Sequence, residues 1–291
     1  MNLRALFVAP DGRARAPWRL LLFIVLAFAC VIVVFYGLAP VLALIERFVG
    51  IKGTGAAYGA TLGLLLAHWM TLRSFDRRPA DYVGLHRDGT RSKLLGYAFL
   101  LGGIPIAGAS LLLLSGGMLD VRAMPDGRWL VVAAQVMLLL LPAAFYEELL
   151  SRGYIFATLK DWLGPFWAVL LTSVGFGLLH YRNPGATAGS LAIVTLAGIY
   201  LAVVLLVTRS LYAAWIAHFA WNWVMAALLH VTVSGLPLGR PDYAIVDDGP
   251  DWLTGGTWGP EGGAGGAAGM VGAVGYLYWR SRRRTHDTIE R

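Results

Sequence analysis

Apolar residues in this chain come in long runs, and the polar residues collect in the segments between them. A run of about 20 apolar residues is what a helix needs to cross a hydrocarbon core of about 30 Å. The pattern predicts spanning helices at about 20–44, 56–72, 94–117, 129–149, 166–181, 187–207, 211–231 and 264–279. The expected fold class is therefore all-α, a polytopic membrane helical bundle of about eight transmembrane helices. The first run is too long for a signal-peptide core, and no small-residue cleavage site follows it, so it reads as a retained span. Residues 1–19 form a basic arm, and 20–128 hold the N-terminal spans with a basic linker. A helical core follows at 129–231, then an acidic loop at 232–263, then a last span and basic tail at 264–291.

Composition agrees. The chain is 57% hydrophobic and 14% charged, against roughly a quarter charged for a soluble domain. A water-facing surface could not be covered, which excludes an ordinary soluble protein. The net charge of +7 does not point to nucleic acid, because the basic residues lie between the apolar runs. The arm, the segment RSFDRRPADYVGLHRDGTRSK, Arg209 and the tail RSRRR all fall on one side of an eight-span chain, and the acidic loop falls on the other. The positive-inside rule then predicts a plasma-membrane (bacterial inner-membrane) protein with both termini cytoplasmic. Cys30, the single cysteine, excludes a disulfide framework and a cysteine-ligated metal cluster. GGAGGAAG at 262–269 follows no strand, so it reads as a close-packing entry into the last helix rather than a phosphate loop.

The stretch FYEELLSRGYIF, 145–156, puts two adjacent glutamates and an arginine at the end of an apolar run. Ionisable residues at membrane depth are costly and mark functional sites by default. Glu148 and Arg152 are four apart and can pair on one helix face, while Glu147 points about 100° away. His180 follows Phe176 in FGLLH, and His218 precedes Asn222 in HFAWN, both at the same spacing. Glu147 and His180 lie equally far from a predicted hairpin turn at Leu163–Gly164–Pro165, so they should stand level, nearer the cytoplasmic face. Asn183-Pro184-Gly185 breaks the chain just beyond, where irregular backbone can line a cavity. A carboxylate and an imidazole at one height can hold a water as general base, and a second His with an Asn can stabilise an oxyanion. These are the parts of a hydrolase without a covalent nucleophile. Glu147, His180 and His218 could instead bind a divalent metal such as zinc as a His₂Glu set, though the glutamate-water reading requires none. His68 and His230 read as interfacial, and Trp215, Trp221, Trp223, Tyr276 and Trp279 as interface belts.

EELLSR, FGLLH and HFAWN, in that order, resemble the CAAX protease and bacteriocin-processing (CPBP, or Abi) family of intramembrane endopeptidases, marked by EExxxR, FxxxH and HxxxN/D. The resemblance covers roughly Trp129 to Leu229. It implies that Glu147 with His180 activates water, that His218 and Asn222 form the oxyanion site, and that Glu148 with Arg152 supports them. It further implies a membrane-anchored peptide or protein substrate, cut within the lipid bilayer and prenylated in the CAAX-processing members. Bacterial relatives include bacteriocin-maturation and self-immunity proteins. Two other readings stand beside it: a non-catalytic immunity or scaffold protein of the same fold, and a proton-coupled transporter. The transporter ranks lower because no duplicated half is evident.

Overall fold

The computed structural model describes residues 6–8, 12–123, 128–238 and 243–289, with side chains as far as Arg283. The first predicted span is not one helix. Helix α1 (Ala16–Gly37) stops at Leu38, and α2 (Ala39–Val49) starts anew with Pro40 in its first turn. Proline has no N–H to donate and its ring crowds the carbonyl four residues back, so a helix continuing through Pro40 would lose its bond to Tyr36. Helix α3 (Thr54–Met70) runs on as a π-helical turn, Thr71–Asp76. Helices α4 (Ser92–Ser115) and α5 (Trp129–Arg152) follow, α5 reaching beyond its expected end at 149. Gly153, with non-helical backbone, separates α5 from α6 (Tyr154–Leu163). Gly164, at φ +85°, then turns the chain into α7 (Pro165–Leu179), which is the expected hairpin turn. Helix α8 (Ala188–Thr208), helix α9 (Leu211–Trp223) with its π-helical turn Val224–Leu229, and helix α10 (Ala264–Ile289) complete the bundle.

The fold is an all-α membrane-type bundle. Among the described residues, four segments meet the requirement for crossing a membrane by length and composition: Ala16–Gly37, Ser92–Ser115, the bent Trp129–Leu163, and Ala188–Thr208. Others are apolar but shorter; the 15 residues of α7 reach only about 22 Å at the helical rise. Helix α1 shows how such a surface is built. It buries Arg19, Phe23, Ala27 and Cys30 on one stripe, while Leu21, Ile24, Val25 and Phe28 face outward, as a lipid-facing helix requires. Small residues let helices touch: a Cβ at Gly102 would lie 1.9 Å from the carbonyl oxygen of Ala217, and one at Gly269 would lie 2.8 Å from that of Pro105. The second contact is the close packing that the glycine-rich entry to α10 led us to expect.

The two ends of the bundle differ. At one end the linker after α3 is tied down by charge. Arg19 on α1 forms a buried ion pair with Asp76, Tyr154 donates to the same carboxylate at 2.6 Å, and Arg78 pairs with Asp161 at 2.8 Å. The linker also meets the α8–α9 turn, where His86 Nε2 lies 2.9 Å from the Arg209 carbonyl oxygen and Leu211 N–H bonds Gly84. At the other end a ribbon that the sequence reading had not foreseen pairs β1 (Leu119–Ala123) antiparallel with β2 (Tyr243–Asp247). The predicted acidic loop folds down from it, and Trp258 is buried against Phe176 and Val194.

Two sequence expectations fail here. His68 is not interfacial but buried, 2% exposed. Trp215, Trp221 and Trp223 are not belt residues: their indole N–H groups bond Leu141 O, Glu261 Oε2 and Ala133 O, cross-linking helices inside the bundle. Tyr276 and Trp279 are exposed, as a belt requires.

Candidate active site

Glu148 and Arg152 are one helical turn apart on α5 and fully buried, with Arg152 Nη1 3.1 Å from Glu148 Oε1. Arg152 Nη2 donates to the carbonyl of Gly198 at 3.0 Å, and its guanidinium lies 4.2 Å from the centre of the Phe176 ring. Three helices, α5, α7 and α8, are thus fastened at one cation. Its height is fixed by Gly198, ten residues from either end of α8, hence about 15 Å from both. The cluster is therefore level with the middle of α8 and with the last turns of α5.

Glu148 does more than hold Arg152. The same Oε1 lies 2.9 Å from His218 Nδ1, so one carboxylate oxygen serves both the EELLSR arginine and the HFAWN histidine. A carboxylate only accepts, so His218 Nδ1 carries hydrogen and its Nε2 is turned away from Glu148. His180 is held alike: its Nδ1 lies 2.8 Å from the Phe176 carbonyl oxygen, which again can only accept. Both rings thereby present Nε2 to the carboxylate of Glu147, whose Oε2 is 4.0 Å from His180 and 3.8 Å from His218. The two adjacent glutamates point about 100° apart around the helix axis. One is sealed among charges, and the other faces a cavity of about 790 Å³ that Glu147, His180, His218 and Asn222 all line.

Local sequence explains the placement. Pro142 O accepts Thr61 Oγ1–H at 2.8 Å, pinning α3 to α5 near the glutamates. After Arg152 the helix must break, and His68 Nε2 accepts the Tyr154 N–H at 3.1 Å while its Nδ1 bonds Leu64 O. A Cβ on Gly153 would lie 2.3 Å from that same Nε2, so only glycine fits after Arg152. Sequence reasoning did not single out His68 for this role, since no motif marks it. Nor did it single out Glu261, which lies in the acidic loop yet is buried and lines the cavity. Glu261 accepts from Trp221 Nε1 at 3.0 Å, and from the Ser234 N–H and Oγ–H at 2.6 and 2.7 Å. That holds the loop against the residue next to Asn222. Within the acidic loop Glu261 differs from other carboxylates only in its setting, Pro260-Glu261-Gly262, which is no strong signal. His230, by contrast, does not line the cavity.

Two histidines and a glutamate form a donor set that zinc accepts. As placed they do not fit it. Tetrahedral ligands at zinc distances stand about 3.3 Å apart, whereas these donors stand 3.8 and 4.0 Å apart. Among the described residues, no group of three or more His, Cys, Asp and Glu is arranged to hold a metal ion. The same separation suits a water: one placed about 2.8 Å from two acceptors some 4 Å apart sees them at roughly 90°, close to its own bond angle.

Comparison with known proteins gives one result. Residues 129–224 match the family described as type II CAAX prenyl endopeptidase Rce1-like, while no curated protein and no solved structure matches the chain. The matched segment holds Glu147, Glu148, Arg152, Phe176, His180, His218 and Asn222, every residue that the three motifs contribute to the cavity or its support. Over that segment, about a third of its length, the chain is similar to the Rce1-like family of type II CAAX prenyl endopeptidases.

Proposed function

We propose that the chain hydrolyses peptide bonds of membrane-associated substrates with a water activated by Glu147 and His180. The observation that carries this reading is the single oxygen, Glu147 Oε2, facing Nε2 of both histidines inside the cavity. A water between Glu147 and His180 donates one hydrogen to each acceptor and keeps a lone pair for the scissile carbonyl carbon. Glu147 takes the proton as the C–O bond forms. The resulting oxyanion is met by the Asn222 amide N–H and by His218, which donates from Nε2 when both its ring nitrogens carry hydrogen and Glu148 accepts at Nδ1. Glu147 then returns the proton to the leaving amine as the C–N bond breaks. Glu148 and Arg152 do not touch the substrate in this scheme; they hold His218 and Phe176 in place. The apolar cavity wall, with Leu139, Leu140 and Leu201, suits an apolar or lipid-modified peptide segment.

The test is cleavage of a panel of membrane-anchored peptides by purified protein, wild type beside Glu147→Gln and His180→Ala, each with and without chelator. Hydrolysis lost in both folded variants and insensitive to the chelator is expected. Equal hydrolysis in all three would remove the proposed site. Chelator-sensitive hydrolysis restored by zinc would mean that the donors close around a metal.

A further inference from the structure

The cavity and the charge pattern together say from which side substrate arrives. Each end of the bundle is chemically distinct. One end gathers Arg73, Arg77, Arg78, Arg87 and Arg91 on the segment after α3, with Lys93 in the first turn of α4, and contacts fasten that segment to Arg19, to Asp161 and to the turn at Arg209. The tail of α10 comes to the same end, since Arg280 and Ser281 line a groove there with Lys93 and Arg209. Asp120, Asp247 and Asp248 on the ribbon, with Asp251 beyond it, mark the opposite end. By the positive-inside rule the basic end is cytoplasmic and the ribbon end is outside.

The cavity runs towards the ribbon end. From Glu147 its wall continues along α5 to Ala143 and Leu139, successive turns closer to Trp129 and the ribbon. On α3 it is lined by Ala56, Ala57 and Ala60, the first turns of that helix and the ones farthest from the basic linker. It finishes among loop residues: Lys52, Asn183, Ser234, Leu236 and Pro237. Lys52, Leu236 and Pro237 are exposed, so the mouth lies among them. Among the described residues none from the 73–93 linker, the Gly153–Pro165 hairpin or the Arg209 turn lines it. Between the reacting groups and the basic end stand the filled layers of Arg152, His68 and Tyr154, all buried.

We propose that this active site is entered from the extracytoplasmic side, so that its substrates are membrane-associated segments of exported polypeptides rather than cytoplasmic C-terminal tails. The proposal rests on the hydrolase reading for its word substrate, but its geometry stands apart from turnover. An apolar wall below an exposed mouth formed by Lys52, Leu236 and Pro237 suits a segment whose apolar residues enter while its flanks stay in the external water.

Thiol labelling tests it. Cys30 is the only cysteine, so a Cys30→Ala chain can carry one new thiol at a time: Leu236→Cys at the mouth, Ala143→Cys on the inner wall, Arg87→Cys on the basic linker. Intact cells are treated with a small, membrane-impermeant methanethiosulfonate. Positions 236 and 143 are expected to react in intact cells, and position 87 only after the membrane is opened. Reaction of position 143 only after opening, or not at all, would overturn the proposal, as would reaction of position 87 in intact cells. Labelling needs no catalysis, so loss of the hydrolase reading in the Glu147→Gln assay would leave the sidedness result intact, and the two failures are told apart.

Discussion

Replacing Arg152 by methionine would be the most informative single change to the frame of the site. The side chain is fully buried and makes two hydrogen bonds, to Glu148 Oε1 at 3.1 Å and Gly198 O at 3.0 Å, besides its stacking on Phe176. Methionine keeps much of the volume and removes the charge, which leaves Glu148 buried with only His218 as a partner. Breaking a buried pair from one side costs about 3–5 kcal/mol, mostly through the charge left behind. At about 2–4 °C per kcal/mol for a large domain, the melting temperature in detergent falls by roughly 6–20 °C. The companion variant Glu148→Gln with Arg152→Met removes both charges, so it should be less destabilised than the two single changes summed, by about 1–3 kcal/mol of coupling. Hydrolysis should still fall in the double variant, because Glu148 also orients His218. The assay is thermal unfolding of all four proteins, followed by turnover of any substrate found. A melting temperature that drops by less than about 3 °C in Arg152→Met, or strictly additive changes across the four, would refute the view of this cluster as one coupled unit.

Gly153→Ala should be worse than its size suggests, because the added methyl meets His68 Nε2 and the Leu149 carbonyl oxygen, both at 2.3 Å. A loss of about 1–3 kcal/mol or more is expected from overpacking alone, read as a lower melting temperature, and a variant as stable as wild type would contradict the close approach described. Glu261→Gln replaces a carboxylate that accepts three bonds with an amide whose NH₂ must face either Trp221 Nε1–H or Ser234. About 1–3 kcal/mol should be lost, and limited proteolysis should cut the loop around Ser234 faster; an unchanged digest would show that Glu261 does not fasten it.

What the sequence revealed, and what it hid, follows from the range of each interaction. Glu148 with Arg152 and His180 with Phe176 are one turn apart on a helix, so spacing alone announces them. The meeting of Glu147 with His180 was also legible, since both lie equally far from a turn that Gly164 and Pro165 mark. The break at Leu38 had a signal in Pro40 that the long apolar run obscured. Other features carried no local mark. The ribbon joins residues 128 positions apart in its Leu119–Asp247 pair, and β1, LDVRA, is short and mixed in character. Interior tryptophans look like belt tryptophans in sequence, because both need one apolar body and one hydrogen-bond acceptor.

The motif spacing nonetheless concealed the most consequential contact, the bond from His218 to Glu148 across 70 residues. With it, EELLSR and HFAWN cease to be two separate pairs. Arg152 neutralises Glu148, Glu148 fixes His218, and Arg152 backs the Phe176 ring, which lies 4.9 Å from the ring of His180 and 5.8 Å from that of His218. Of the groups facing the cavity, His218 is thus oriented by a carboxylate that does not face it and His180 by the Phe176 carbonyl oxygen, while Glu147 is held by its position on α5 next to Glu148. That asymmetry accounts for two adjacent glutamates in an apolar helix. In the proposed reaction a carboxylate that accepts and returns a proton cannot also be locked in an ion pair, so the helix would give one position to each task, with the 100° between neighbours keeping them apart.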